Sequence, residues 1–167
     1  MKAYCFDTSG ISNPLETTPR DIHEKMWNDV LTLVTSGRVA VTKEVLDEMI
    51  YIPSGVGEAI SNSSELILLE VGQGNWNWQT YIDHSNRMQD SYSRFISEFN
   101  GNTSDTIGLN DLSIICLAKT LNLPLVSMEK LVGEASSKRR RIPDICKYEG
   151  IQHLEFNDFL RKEEFKF

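Results

Sequence analysis

Four short apolar runs, each followed by a stretch that can form a helix, constrain this chain more than any other feature. The runs are KAYCFD at 2–7, RVAVT at 38–42, LPLVS at 123–127 and IQHLEF at 151–156. They are apolar throughout rather than alternating, as strands buried on both faces are. Between the first two, Met26, Val30, Leu33 and Val34 recur at helical spacing within residues 22–37, and Gly37 marks the stop. KEVLDEMIYI reads as a helix ended by Pro53, and DLSIICLAKTLN as a helix with an almost wholly apolar body. IPDICKYEG has Pro143 near its start and Gly150 just past its end, the helix asymmetry of those two residues. NDFLRKEE reads as a closing helix capped by Asn157. Residues 8–21 and 128–141 are rich in turn formers or charge and read as loops. Strands alternating with helices predict an α/β fold. Its core is a parallel central sheet of about four strands, with helices on both faces.

The middle is less patterned. ELILLEVG fits either the end of a helix or a strand, and WQTYIDHSNRMQDSYSRFISEF reads as one helix stopped by NGN. Neither repeats nor linkers interrupt residues 1–167, so a single domain with a helical middle segment is expected. No apolar run is long enough to cross a bilayer, and the N-terminus has no basic-then-apolar leader. A cytoplasmic location is therefore expected. Cys5, Cys116 and Cys146 share no metal or disulfide spacing and read as buried thiols. The net charge of -7 argues against a protein that grips nucleic acid through a broad basic surface. An acidic balance is compatible with carboxylates gathered around cations.

The acids have a pattern. In parallel sheets ligands bind beyond the carboxyl ends of the strands. Asp7 ends the first run, Glu129 stands just past the third, and Asp111 opens the helix leading to it. The second run feeds a helix carrying Glu44, Asp47 and Glu48. At about 100° per residue, Val45, Leu46, Met49 and Ile50 form an apolar face; Glu44 lies opposite it, and Asp47 and Glu48 on its flanks. Either flank acid can reach the sheet edge. Four chain segments would then bring carboxylates together, an all-oxygen set suited to hard divalent cations. Each acid also has a plainer role available: Asp111 as a helix cap, Asp7 as a turn residue, Glu48 and Glu129 as surface charge.

Together these segments resemble the PIN-like domain nucleases. The first strand ends in Asp7-Thr8-Ser9, where that family has Asp-Thr-Asn or similar; TKEVLDEM points to Glu48; NDLSIICLAKTLNLPLVS places a third acid at Asp111; Ser127-Met128-Glu129 places the fourth. The opening YCFDTS and the ending IPDICKYEGIQHLEFNDFLRK are similar to a bacterial PIN-like subfamily of unknown function. The resemblance implies a Mg2+- or Mn2+-dependent ribonuclease, often the toxin of a toxin–antitoxin pair. It implies Asp7, Glu48, Asp111 and Glu129 as catalytic metal ligands, with Thr8, Ser9 and Ser127 in support. It brings forward an RNA substrate and an antitoxin protein as partners; a homo-oligomer is also expected, and no membrane association. Two positions depart from the pattern: Ser9 stands for asparagine and Glu129 for aspartate.

Other features carry paired readings. SSKRRR, with Arg139, Arg140 and Arg141, suits contacts to substrate phosphates or a solvated loop. Trp76 and Trp78 suit base stacking or the core. A catalytically silent PIN-like module that binds protein is a second expectation. An aspartyl-nucleophile phosphatase is a third, weakened because Ser9 occupies the position where its second acid belongs.

Overall fold

β1 (Tyr4–Phe6) lies between β2 (Val39–Ala40) and β3 (Leu125–Val126), and β4 (His153–Leu154) pairs with β3. Every pairing is parallel: Cys5 stands opposite both Ala40 and Leu125, and Val126 opposite Leu154. This computed structural model describes residues 1–102, 106–132 and 139–167. All four strand carboxyl ends reach one edge. The chain leaves β1 for β2 on one side and then crosses to β3 on the other. The sheet order therefore reverses between the carboxyl ends of β1 and β3, where open α/β sheets form their crevice.

The pleat sorts β1 to two faces. Tyr4 and Phe6 both meet the ring of Phe159 edge-on, with centroids 5.1 Å apart in each case. Phe159 belongs to α9 (Phe156–Lys162), so that helix covers one face. Cys5 points the other way, toward the side covered by α7 (Leu109–Leu121). In α7 the residues from Leu112 to Ala118 are buried without a break. A helix apolar on all sides must be surrounded; α3 (Lys43–Met49), α6 (Trp78–Ser91) and α8 (Ile142–Glu149) pack against it. The expected parallel sheet with helices on both faces and a helical middle is thus the fold.

Several expectations need correction. Residues 8–21 are not a loop: α1 spans Ser9–Thr17. Ile11 and Leu15 bury one side of it, and Gly10 lets it press on β3, since a Cβ there would stand 2.8 Å from the Val126 carbonyl oxygen. The helix expected over 78–99 stops at Ser91, and a 3-10 turn follows at Ser93–Phe95. There the backbone leaves the helix to pair Ile96 with Ile107. ELILLEVG is both things in succession. Its first residues complete α5 (Ser64–Ile67), and Leu68 then bridges Val41. Asn157 lies inside α9 rather than capping it, because the helix starts early enough for Phe156 to stack on Trp27 at 5.6 Å. The remaining helices are α2 (Glu24–Val34), close to its expected span, and α4 (Val56–Asn62).

Candidate functional site

Asp7 follows β1 directly and is only 5% exposed. Its amide donates to Val126 O at 2.9 Å, which holds it against β3. Its Oδ2 accepts from the Ser9 amide at 3.1 Å and from Ser9 Oγ at 2.6 Å. The same Oγ accepts from the Met128 amide at 3.1 Å. One hydroxyl therefore ties the carboxylate of Asp7 to the segment that carries Glu129, across the reversal of the sheet. Burial pushes the Asp7 carboxyl above its ordinary range; the Ser9 bonds oppose this, and the nearby Glu48 charge adds to it.

Of the two flank acids on α3, Glu48 faces this site. Thr8 Oγ1 donates to Glu48 Oε2 at 3.2 Å, and Asn110 Nδ2 donates to Oε1 at 2.6 Å. Asp47 is turned away and pairs with Lys43. Thr8, expected to support Asp7, does so through its backbone amide, while its hydroxyl serves Glu48. α3 takes this position because Thr42 caps its start, accepting from the Val45 amide, while Val45, Leu46 and Met49 are buried.

Asp111 sits in the first turn of α7. Its Oδ2 accepts from the Gly108 amide at 2.8 Å, so the cap role is real. Its acidity shows a second environment. Burial first, then the Asp7, Glu129 and Glu48 charges, push its carboxyl up to about 7 against the Gly108 bond. A simple surface cap would be stabilised as the anion and shifted the other way. Glu129 accepts from the Ile142 amide at 3.0 Å, at the start of α8. Burial raises its pKa, the Ile142 bond opposes, Asp7 raises it further, and Arg141 lowers it. Ser127, fully buried, accepts weakly from the Glu129 amide at 3.4 Å and pairs with His153 Nε2 at 2.7 Å.

The structure therefore brings Asp7, Glu48, Asp111 and Glu129 within each other's electrostatic reach. None of the four forms an ion pair among the described residues. Nor do three His, Cys, Asp or Glu side chains already stand there as a ligand cluster. Each carboxylate is instead held by an amide or hydroxyl. The donor set still fits a hard divalent cation: it is all carboxylate oxygen, with Asp7 buried, Asp111 and Glu129 half-buried and Glu48 exposed where a cation can enter. Mg2+ characteristically takes one or two carboxylates and keeps several waters, so a closed cage is not required.

The basic run divides. Ser136, Ser137 and Lys138 lie outside the described residues. Arg140, expected at the substrate, is only 3% exposed. Its guanidinium lies over Phe95 at 4.9 Å and Tyr148 at 5.7 Å, and its Nε donates to Tyr148 Oη at 2.9 Å. Cation–π stacking between two rings makes it part of the packing. Arg139 is exposed, and Arg141 stays beside Glu129. Trp76 joins the core margin, donating to Glu70 O and meeting Tyr81 edge-on. Sequence reasoning passed over Asn110, His153 and Asp144. Asp144 is buried and accepts from the Val132 and Arg141 amides, fixing both ends of the segment after Glu129. Its position, third in the helix behind Arg141, was the available signal.

A family model described as "Domain of unknown function (DUF4411)" matches residues 4–167. Among curated proteins nothing matches. Among solved structures, the crystal structure of DNA-bound VapBC from Salmonella typhimurium is similar over 93% of this chain and 99% of that one. The identity is 18% and the TM-score 0.47. No described helix is long and apolar enough to cross a membrane.

Proposed function

This chain belongs to the DUF4411 family, and we propose that it is a PIN-like, metal-dependent endoribonuclease acting as the toxin of a toxin–antitoxin pair. The observation that carries this reading is the set of four carboxylates, from four chain segments and without an ion pair among the described residues, at the crevice between β1 and β3. The motif resemblance supplies the substrate class and the toxin setting.

In this reading Asp7, Glu48, Asp111 and Glu129 hold Mg2+ or Mn2+. Such a cation supplies Lewis acidity at a phosphodiester oxygen and a water of lowered pKa. Ser9 fixes the rotamer of Asp7 and the approach of the Glu129 segment with a single hydroxyl. Thr8 and Asn110 orient the two oxygens of Glu48. The short strands at the centre of the sheet give this edge a rigid base, and precise placement of ligands depends on such support.

A second reading has one observation in its favour. Every acid is already held by a protein donor, and no ready ligand cluster exists among the described residues. That suits a protein-binding module without turnover. Expression of the chain and of Asp7→Asn in a bacterial host, with RNA cleavage assayed in Mn2+, separates the two. The nuclease reading expects growth arrest and cleavage from the parent and neither from a folded Asp7→Asn. Equal cleavage by the two proteins would refute the assigned site, and no cleavage by either would favour the module.

A further inference from the structure

A cleft of about 550 Å³ starts beside the acid edge at Glu129 and runs between the segment after β3, the length of α8 and the outer strand β4. Glu129 forms one wall, so cleft and acids share a residue. Leu131, Pro143 and Ile151 give it an apolar surface. Lys130 and Lys147 supply its cations, but Lys130 is paired with Glu155. Lys147 is exposed and makes no hydrogen bond or ion pair among the described residues. His153 lines the cleft too, its Nε2 engaged by Ser127.

We propose that this cleft is a subsite for one unpaired nucleotide of a single-stranded RNA, next to the phosphodiester held at the acids. The inference rests on the ribonuclease reading above. The chemistry matches in three parts. The apolar side chains of Leu131, Pro143 and Ile151 take the face of a base, since every base has a π-face and its stacking is tolerant of sequence. The Lys147 ammonium takes a backbone phosphate as a point charge. The shared Glu129 wall sets the distance between the base and the reacting phosphate. A base inside a duplex is stacked and paired and cannot enter, so the site selects single strands. The overall charge of -7 points the same way: with no broad basic field, strand recognition depends on local cations.

The test uses a fluorescein-labelled single-stranded RNA decamer and its duplex. Binding is followed by anisotropy in EDTA, and cleavage is followed separately in Mn2+. Lys147→Glu and Leu131→Asp, both at exposed positions, are compared with Lys25→Glu on the distant α2, after melting curves show that all three fold. Single-strand binding is expected to weaken at least tenfold in the first two variants. KM should rise while kcat stays within about twofold, and Lys25→Glu should bind as the parent does. Unchanged binding and KM in the first two, an equal loss in Lys25→Glu, or an equal loss on duplex would overturn the subsite. Asp7-dependent cleavage would still stand in that event. Conversely, Lys147-dependent binding without any cleavage would retain the cleft as an RNA site and remove the ribonuclease reading.

Discussion

Two groups of buried acid lie on this sheet, and they are built in opposite ways. Glu149, at the end of α8, is 8% exposed and surrounded by donors. Arg87 grips both of its oxygens at 3.1 and 2.6 Å, Tyr92 Oη donates to it, and Lys119 stands 3.8 Å away. Burial alone would raise its pKa, but the Arg87 and Tyr92 bonds outweigh this and hold the carboxyl below its usual range. At the crevice, Asp7, Asp111 and Glu129 are raised first by burial and then by neighbouring carboxylates. Burying a charge is costly unless it is paired. Glu149 has its cations inside the chain and serves the fold. Among the described residues the crevice acids form no ion pair, and only Arg141 stands near one of them, so most of the cost stands until a cation arrives from outside. Perturbed acids of the second kind mark functional sites more often than the first.

Substitution should separate the two groups. The largest effect is expected at the crevice: Asp111→Asn should lower Mn2+-dependent RNA cleavage by about 10³-fold or more. It should leave the melting temperature of the metal-free protein equal or higher, because a buried like-charge contact disappears. Glu149→Gln should do the reverse, costing about 2 kcal/mol in denaturant unfolding while leaving cleavage by the folded protein intact.

The pH dependence should also split by sign. A carboxyl raised in the folded state stabilises while protonated, and that contribution is lost as pH climbs through the folded value. For Asp111, raised from 3.8 to about 7, metal-free stability should fall between about pH 4 and 7, by at most about 1.4 kcal/mol per pH unit, and level off above. Asp111→Asn should flatten that slope. Glu149, lowered in the folded state, contributes above its unfolded value and loses its contribution only as pH falls through the acid range. Thermal melts from pH 3 to 8 of the parent and both variants check the two signs. The smallest effect is expected from Ser9→Ala. It removes a hydroxyl but neither a ligand nor a cation, and should cost about 1 kcal/mol of stability and weaken Mn2+ binding about tenfold.

The sheet was legible because parallel strands buried on both faces are written as continuous apolar runs, and Asp7 and Glu129 stand where those runs end. The third acid was legible through its helix, whose apolar body had to be interior. α1 was not legible. Its residues are turn formers in isolation, and what makes them helical is Gly10 against Val126 with Ile11 and Leu15 in the core, contacts between distant parts of the chain. Helix periodicity left Asp47 and Glu48 open. Thr8 and Asn110, reaching Glu48 from two other elements, decide which of them faces the crevice. The Arg140 assignment failed for a similar reason. Its rings, Phe95 and Tyr148, come from either side in sequence, and nothing in SSKRRR announces them.

The central claim is that the crevice acids await a divalent cation. Calorimetric titration of the metal-free protein with Mn2+ at pH 7, in two buffers of different ionisation enthalpy, tests it most directly. Saturable binding with proton release is expected, because Asp111 is partly protonated at that pH and must ionise to bind. Both binding and proton release should vanish in Asp7→Asn and persist in Glu149→Gln. Absence of Mn2+ binding by the folded parent, or binding that Asp7→Asn leaves unchanged, would contradict the account.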